Sequence, residues 1–219
     1  MSSLQASLSQ SLAKGLQGQG QTIGQSEQQK LIHFIELLNK WNKVYNLTSI
    51  RKPEDMISLH LLDSLIMLPF FENKEQPVKR VLDVGTGGGI PGIPLAICLP
   101  EIDFVLMDAR GKKVRFIQTA IAQLGLKNVT AVHSRVEDYH ADDKDKFDRI
   151  ISRAFASLAD MLVFCQHLCT RQGQFLAMKG QMPEQEIAQL PEGFRIEAIN
   201  ELKVSGLNAQ RHLLQIAFS

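Results

Sequence analysis

The sequence predicts an α/β protein, a parallel sheet with helices on both faces, entered through a helical extension. Three observations carry this. From Lys79 onward, strand-like apolar runs alternate with helical ones, the pattern of βα units. The first strand, Val81–Val84, runs straight into a glycine-crowded turn, Gly85-Thr86-Gly87-Gly88-Gly89. The second, Phe104–Met107, ends on a carboxylate, Asp108. Sheets of this kind bind ligands outside the carboxyl ends of their strands, which is where both features fall.

The extension comes first. Met1 to Gln25 is rich in Ser, Gln and Gly, but Leu4, Leu8, Leu12 and Leu16 repeat every four residues. That spacing puts them near one face of a short helix docked on the body, with Gly18 to Gly24 as the turn after it. Ser26-Glu27-Gln28-Gln29 has the form of a capping box and opens a second helix, with Leu31, Ile35, Leu38 and Trp41 on its apolar side. Where this helix should end, Lys40-Trp41-Asn42-Lys43-Val44-Tyr45-Asn46-Leu47-Thr48 gathers basic, aromatic and amide side chains. Two readings compete: a helix C-terminus with its favoured cations, which is preferred, and a surface for RNA. Pro53 starts a third helix, with Met56, Leu59, Leu62, Leu65 and Ile66 as its apolar face. His60, Asp63 and Ser64 can share another face. They read as a polar network tying the helical part to the sheet rather than as catalytic groups. Asn73 to Lys79 is a linker, which divides the chain into an extension, 1–75, and a sheet domain, 76–219.

Within the sheet domain the expected elements come in order. A helix runs to Leu99, then strand Phe104–Met107, helix Lys112–Leu124, and strands Thr130–Val132 and Phe147–Ser152. Helix Leu158–Leu168, strand Phe175–Met178 and helix Pro183–Gln189 come next, and strands Arg195–Leu202 and His212–Phe218 close the chain.

Composition narrows the class. The chain has 219 residues, is 44% hydrophobic and carries a net charge of +1, enough for a real core and neutral on the question of nucleic acid. Apolar stretches are broken well short of a membrane span, and Met1 to Gln25 lacks the features of a signal peptide. Three cysteines, Cys98, Cys165 and Cys169, form no disulfide framework and point to a reducing cytoplasm. Cys165-x-His167-x-Cys169 is read as buried apolar packing, with no metal site expected.

The glycines can be tested against phosphate-binding turns. A P-loop needs Gly-Lys-Ser/Thr, and here Ile90-Pro91 follows the glycines. The dinucleotide fingerprint needs glycine where Ile90 stands. What remains, Asp83-x-Gly85-x-Gly87-x-Gly89, resembles motif I of the class I methyltransferases that use S-adenosylmethionine. Asp108 lies about 20 residues on, as a ribose-binding acid should. The resemblance implies a Rossmann-like sheet, mostly parallel with the last strand antiparallel. It also implies that Val136, or the backbone beside Glu137, covers the adenine, and that the end of the fourth strand meets the acceptor.

That end, Ser152-Arg153-Ala154-Phe155, lacks the paired prolines common in exocyclic-amine methylation, and no cysteine stands there for attack on a pyrimidine ring. An acceptor without a proton, such as guanine N7, fits this absence, since its lone pair needs no general base. A small-molecule acceptor, or a non-catalytic cofactor-dependent RNA-binding module, is equally compatible with these residues.

From about residue 26 to its end, the chain resembles one family, the bacterial 16S rRNA (guanine-N7) methyltransferases (RsmG, or glucose-inhibited division protein B). The likeness rests on Trp41-Asn42-Lys43-Val44-Tyr45-Asn46-Leu47-Thr48, His60-x-x-Asp63-Ser64, the run from Asp83 to Pro94, Ser134-Arg135-Val136-Glu137, Ile151-Ser152-Arg153-Ala154-Phe155-Ala156 and Lys179-Gly180. Gly88, often proline in that family, is a mild departure. The resemblance implies methyl transfer from S-adenosylmethionine to N7 of a guanine in the 530 loop of 16S rRNA. The RNA would be free, in the small ribosomal subunit or in an assembly intermediate, and the protein is expected to be a cytoplasmic monomer. Gly85, Gly87, Gly89, Ile90, Asp108, Val136, Glu137 and Arg153 are the implied cofactor contacts, with Arg153 at the junction of cofactor and substrate. Its bland alternative is an ion pair with a neighbour such as Asp148. Candidates for RNA are Lys43, Tyr45, Asn46, Arg51, Lys112, Lys113, Arg115, Phe155 and Lys179, with Lys40, Lys52 and Arg211 as further cations. Tyr45 and Phe155 are the candidates for base stacking.

Overall fold

The computed structural model describes residues 3–72, 77–153, 155 and 157–219. Part of the expected linker (73–76), with the expected domain boundary, lies outside them, as do Ala154 and Ala156.

The extension begins with α1 (Ser3–Gly18), whose buried stripe is Leu8, Leu12, Gly15 and Leu16. Gly15 is there for contact: a Cβ on it would stand 2.2 Å from Leu62 Cδ1. Helix α2 (Gln25–Tyr45) follows. The capping box is not formed; Gly24 is the N-cap, and no side chain bonds back to the first turn. The N-cap falls two residues early, so Ser26 is already inside the helix, and Gln28 Nε2 donates to the Ile23 carbonyl instead (2.7 Å). Its other end is a helix C-terminus, closed by Asn46 in the left-handed region at φ 50°, a conformation asparagine tolerates better than most residues.

The third helix is not regular. Pro53 opens a short α3 (Pro53–Met56), a π-helical stretch occupies Ile57–Leu62, and α4 (Asp63–Leu65) finishes it. A π turn widens the ring and shifts the register of the residues after it. The buried residues are Met56, Ile57 and the unbroken run His60 to Leu65, while Leu59, expected in the core, lines a cavity.

The sheet domain then runs β1 (Arg80–Val84), α5 (Gly92–Cys98), β2 (Asp103–Asp108), α6 (Gly111–Leu124), β3 (Val129–His133), β4 (Phe147–Ser152), α7 (Leu158–Cys165), β5 (Cys169–Lys179), α8 (Glu184–Ala188), β6 (Phe194–Glu201) and β7 (His212–Phe218). Seven strands form one sheet in the order β3-β2-β1-β4-β5-β7-β6. Strands β1 to β5 are parallel, and β7 runs antiparallel to both its neighbours, β5 and β6.

The two faces come from the period of two along each strand. Val81, Phe104, Leu106 and Ile151 point into a core shared with α5, α6 and the extension. Leu82, Val105, Met107 and Ile150 point into a second core under α7. The extension thus has no separate core; Leu8, Phe34 and Leu62 belong to the same buried cluster as the first sheet face. Among the described residues, no helix is long and apolar enough to cross a membrane.

Candidate active site

The glycine turn is held by its own aspartate. Asp83 lies in β1, wholly buried. Its Oδ2 accepts from the Thr86 hydroxyl (2.6 Å) and from the Gly92 amide (2.9 Å), so one carboxyl spans the turn from near its start to the first residue of α5. Burial pushes its pKa up to about 7, against the pull of those two hydrogen bonds and of Arg153. Its Oδ1 has no hydrogen-bond partner among the described residues. Gly85 and Gly89 both have positive φ, at 68° and 76°, but they serve different ends. A Cβ on Gly89 would stand 2.5 Å from Ile93 Cδ1, whereas one on Gly85 would meet nothing within 4 Å. Gly89 is a packing glycine. Gly85 leaves bare backbone facing open space, a cradle suited to a ligand.

Asp108 closes the other side of the turn. At the end of β2 it is 6% exposed. Its Oδ1 accepts from the Arg110 amide (2.9 Å); its Oδ2 accepts from the Gly87 amide (3.0 Å) and from Lys113 Nζ (3.3 Å). A carboxylate offers about four acceptor sites, so ribose hydroxyls can join or displace these donors. Val136 is buried in the 3-10 turn after β3, and Glu137 beside it is exposed. The implied contacts Gly85, Gly87, Asp108, Val136 and Glu137 therefore stand at or just past the carboxyl ends of three adjacent strands. Ile90 is buried in the core, its amide bonded to the Thr86 carbonyl (3.0 Å).

Arg153 follows the end of β4 and reaches away from Asp148. The carboxylate of Asp148 instead accepts from the amides of Lys79 (2.8 Å) and Arg80 (3.0 Å). Arg153 Nη1 donates to the Leu59 carbonyl (3.1 Å) in the π turn and to Asp63 Oδ2 (3.3 Å). Asp63, 2% exposed, takes a second guanidinium on Oδ1, from Arg211 Nε at 2.6 Å. His60 lies against Arg153, with its Nε2 2.9 Å from the Thr48 hydroxyl. Burial, and then the charge of Arg153, lowers its pKa to about 4, so the ring is neutral at pH 7. The expected polar network between extension and sheet is thus present through His60 and Asp63, whereas the Ser64 hydroxyl donates to the His60 carbonyl within its own helix (2.6 Å). Beside the network opens a cavity of about 360 Å³, with Thr48, His60, Asp63, Arg153, Lys179 and Arg211 in its wall.

Apart from Lys179 and Arg211, the RNA candidates do not line this cavity. Lys43 is exposed at the end of α2, and Lys112 and Arg115 are exposed on α6. Lys113 turns inward to Asp108. Asn46 accepts from Arg51 Nη2 (2.8 Å). Tyr45 is stacked on Trp41, ring centroids 5.2 Å apart. Phe155 is half-buried, 6.4 Å from the Phe164 ring. Lys179 is paired with Glu186 (2.8 Å), which also accepts from the Leu158 amide at the start of α7. Asn42, in the same run as Lys43, has a structural role: it donates to the Ile50 carbonyl and accepts from the Thr48 amide, each at 2.9 Å, shaping the loop that brings Thr48 to His60. The junction of Asp63 with Arg211 has no local signal in the sequence; the two meet across 148 positions, and only the His60-x-x-Asp63 spacing hints at a network.

Cys165 and Cys169 are free and buried, and burial pushes both thiols up to about 12. His167 lies 2.9 Å from the Tyr139 carbonyl. Among the described residues, no group of three or more His, Cys, Asp or Glu could hold a metal ion.

A sheet of this order, with β7 reversed and a glycine turn beside a strand-end carboxylate, defines the class I methyltransferase architecture. Solved structures agree on the fold: TrmN from Thermus thermophilus (TM-score 0.57, 18% identity, covering 71% of this chain and 48% of that one) and a SAM-dependent methyltransferase from Aquifex aeolicus (TM-score 0.54, 20% identity, covering 75% and 98%). This chain spans about half the length of the first. Within the class, the chain belongs to the GidB family, rRNA small subunit methyltransferase G, which it matches over residues 27–214. A relative from Aeromonas salmonicida, named ribosomal RNA small subunit methyltransferase G, is 52% identical over 90% of this chain and 91% of its own length.

Proposed function

We propose that this chain transfers a methyl group from S-adenosylmethionine to N7 of a guanine in the 530 loop of 16S rRNA. Family membership over nearly the whole chain carries the reading. The cation-lined cavity at the ends of β4 and β5 supports it.

When bound, S-adenosylmethionine supplies a methyl group on a positively charged sulfonium. The residues of the turn fit such a cofactor. Asp108 would accept hydrogen bonds from the ribose hydroxyls, Gly85 would let the backbone approach, and Val136, beside Glu137, would cover the adenine. Arg153 stands at the junction of this half with the acceptor half. Guanine N7 has a lone pair and no proton, so no side chain has to act as a base. His60 fits that requirement: its Nε2 is taken up by Thr48, and its Nδ1 lies 2.9 Å from the Leu59 carbonyl. What the chain contributes is alignment and exclusion of water. Exposed Lys43, Lys112 and Arg115 are suited to phosphates. Arg51, Tyr45 and Asn46 sit at the same end of the extension, and Phe155 offers a partly exposed ring near the end of β4. The protein acts as a cytoplasmic monomer on 16S rRNA, free or within the small subunit or its precursor.

The test is to incubate the protein with methyl-labelled cofactor and either unmodified 16S rRNA or small subunits, then digest the RNA and map the label. Label in 7-methylguanosine within the 530 loop is expected. Label on another atom or in another loop, or none in RNA, overturns the assignment.

A further inference from the structure

The cavity beside Arg153 has an electrostatic character that the base-methylation chemistry does not explain. Three cations, Arg153, Lys179 and Arg211, stand in its wall; Lys179 is paired with Glu186 (2.8 Å), and the two guanidiniums share one lining carboxylate, Asp63. The cations come from the ends of β4 and β5 and from the approach to β7, while Asp63 comes from the extension. His60 adds no charge at neutral pH, since its pKa lies at about 4. Asp63 is nearly inaccessible and holds both guanidiniums by different oxygens, Arg211 through Nε and Arg153 through Nη1. Each guanidinium carries five donors, so the pairing leaves others free for a ligand.

Methylation at N7 turns a neutral purine into a cation. A ring seated against two guanidiniums that share a single carboxylate would be repelled increasingly as the bond forms. An RNA phosphate would not; it is anionic before and after the reaction and matches the fork of an arginine. The cavity, at about 360 Å³, has room for a backbone phosphate with part of its ribose. We infer that it is an anion subsite for a backbone phosphate next to the target guanosine, with Arg211 and Arg153 as its ligands. Asp63 is the positioning residue that holds the two guanidiniums side by side. This rests on the RNA substrate proposed above. It also places the target base outside the cavity, with its phosphate anchored on the extension side.

The experiment uses the full chain, wild type and two variants, Arg211→Gln and Arg211→Lys. Binding to a 16S rRNA fragment containing the 530 loop is measured over a range of salt concentrations. KM and kcat for methyl transfer to the same RNA, and cofactor affinity by calorimetry, are measured alongside. Arg211→Gln is expected to reduce the slope of log affinity against log salt by about 0.7, one single-strand phosphate contact. It should raise the RNA KM roughly tenfold with kcat little changed and cofactor affinity within about twofold. Arg211→Lys should restore the slope, because the charge returns, with only partial recovery of KM, because the fork does not. An unchanged slope and KM in Arg211→Gln overturns the subsite, as does an equal loss of cofactor affinity, which would mark Arg211 as structural only. If Arg211→Gln does not fold, Arg153→Gln, at the other ligand, provides the same slope measurement: a reduced slope supports the subsite and an unchanged one overturns it. Should the wild type transfer no methyl to RNA, the proposed function falls and the subsite with it; if the wild type is active and the slope does not move, the subsite alone falls.

Discussion

The two halves of the cleft have opposite electrical character. On the side of β1 and β2, the buried charged groups at the strand ends are carboxylates, Asp83 and Asp108. On the side of β4 and β5 the charged groups are partly exposed cations, Arg153 and Arg211 held by Asp63 of the extension and Lys179 paired with Glu186. The first half is suited to a ligand with hydroxyls and positive charge, the second to a polyanion. Arg153 belongs to both; its charge acts on Asp83 in one direction and on Asp63 and His60 in the other. A sheet that binds at its strand ends can therefore keep two unlike ligands apart by charge alone.

The largest expected effect breaks one half and leaves the other intact. Asp108→Ala removes a buried acceptor of charge-assisted hydrogen bonds, each worth about 1.5–3 kcal/mol. Cofactor affinity by calorimetry should fall about 100-fold or more, two such bonds being lost. Affinity for the RNA should stay within a few-fold. If both fall together, the halves are not independent. Asp63→Ala is the mirror case. It leaves Arg153 and Arg211 without their shared partner; both are partly exposed, so the cost is about 2 kcal/mol rather than that of a fully buried pair. Thermal unfolding should shift down by roughly 5 °C. RNA affinity should fall while cofactor affinity holds.

The two halves also differ in how much of them can be read from the chain. The cofactor half is local. Asp83, Gly85 and Gly87 lie at fixed spacing at the end of β1 and in the turn after it, and Asp108 reaches back to Gly87 across 21 positions, the length of one helix and the next strand. Such spacing survives in sequence. The acceptor half is assembled at long range: Asp63 meets Arg153 across 90 positions and Arg211 across 148. Periodicity places His60, Asp63 and Ser64 on one face but cannot say what stands opposite, and in sequence Asp148 is as good a partner for Arg153 as Asp63. The π turn is hidden for a related reason. Met56, Leu59, Leu62 and Leu65 keep helical spacing in sequence, yet the widened ring turns Leu59 out of the core to the cavity and presents its carbonyl to Arg153. The shape of the sheet is legible because alternating strands and helices leave few ways to wind. The direction of β7 is expected from the family resemblance, not from the alternation, which by itself implies all-parallel strands.

A smaller effect tests whether Gly85 serves a ligand or only the turn. Gly85 and Gly125 are matched in the relevant ways: φ is 68° and 65°, and an added Cβ meets nothing within 4 Å at either. Gly125 is the C-cap of α6, away from the strand ends. Alanine at each should cost about 1–2 kcal/mol of left-handed strain. Gly85→Ala alone should also weaken cofactor binding, by about tenfold, because its new methyl occupies the cradle. Equal cofactor affinity in the two variants would make Gly85 a turn residue only.

The last effect concerns Asp83 and is invisible at any single pH, since it appears only as a dependence on pH. Its folded pKa is about 7 against an ordinary 3.8, so between these values the unfolded chain has released a proton that the folded chain still holds. Folding stability must then fall as pH rises from about 4 to about 7, and level off above. His60 runs the other way. Its folded pKa of about 4 lies below the ordinary 6.5, so its contribution is present above 6.5 and lost as pH falls through 4. The two slopes largely cancel in the wild type, which is why a plain pH profile says little. Asp83→Asn separates them, since the amide oxygen can still accept from Thr86 and Gly92 while the titration is gone. The stability of Asp83→Asn minus that of the wild type, from denaturant melts, should therefore grow with pH across that window by up to a few kcal/mol, at about 1.4 kcal/mol per pH unit. A difference that stays flat from pH 4 to 7 would mean that Asp83 is ionised throughout. The Oδ1 beneath the glycine turn, without a partner among the described residues, would then already be a charge, held for a cation before any ligand arrives.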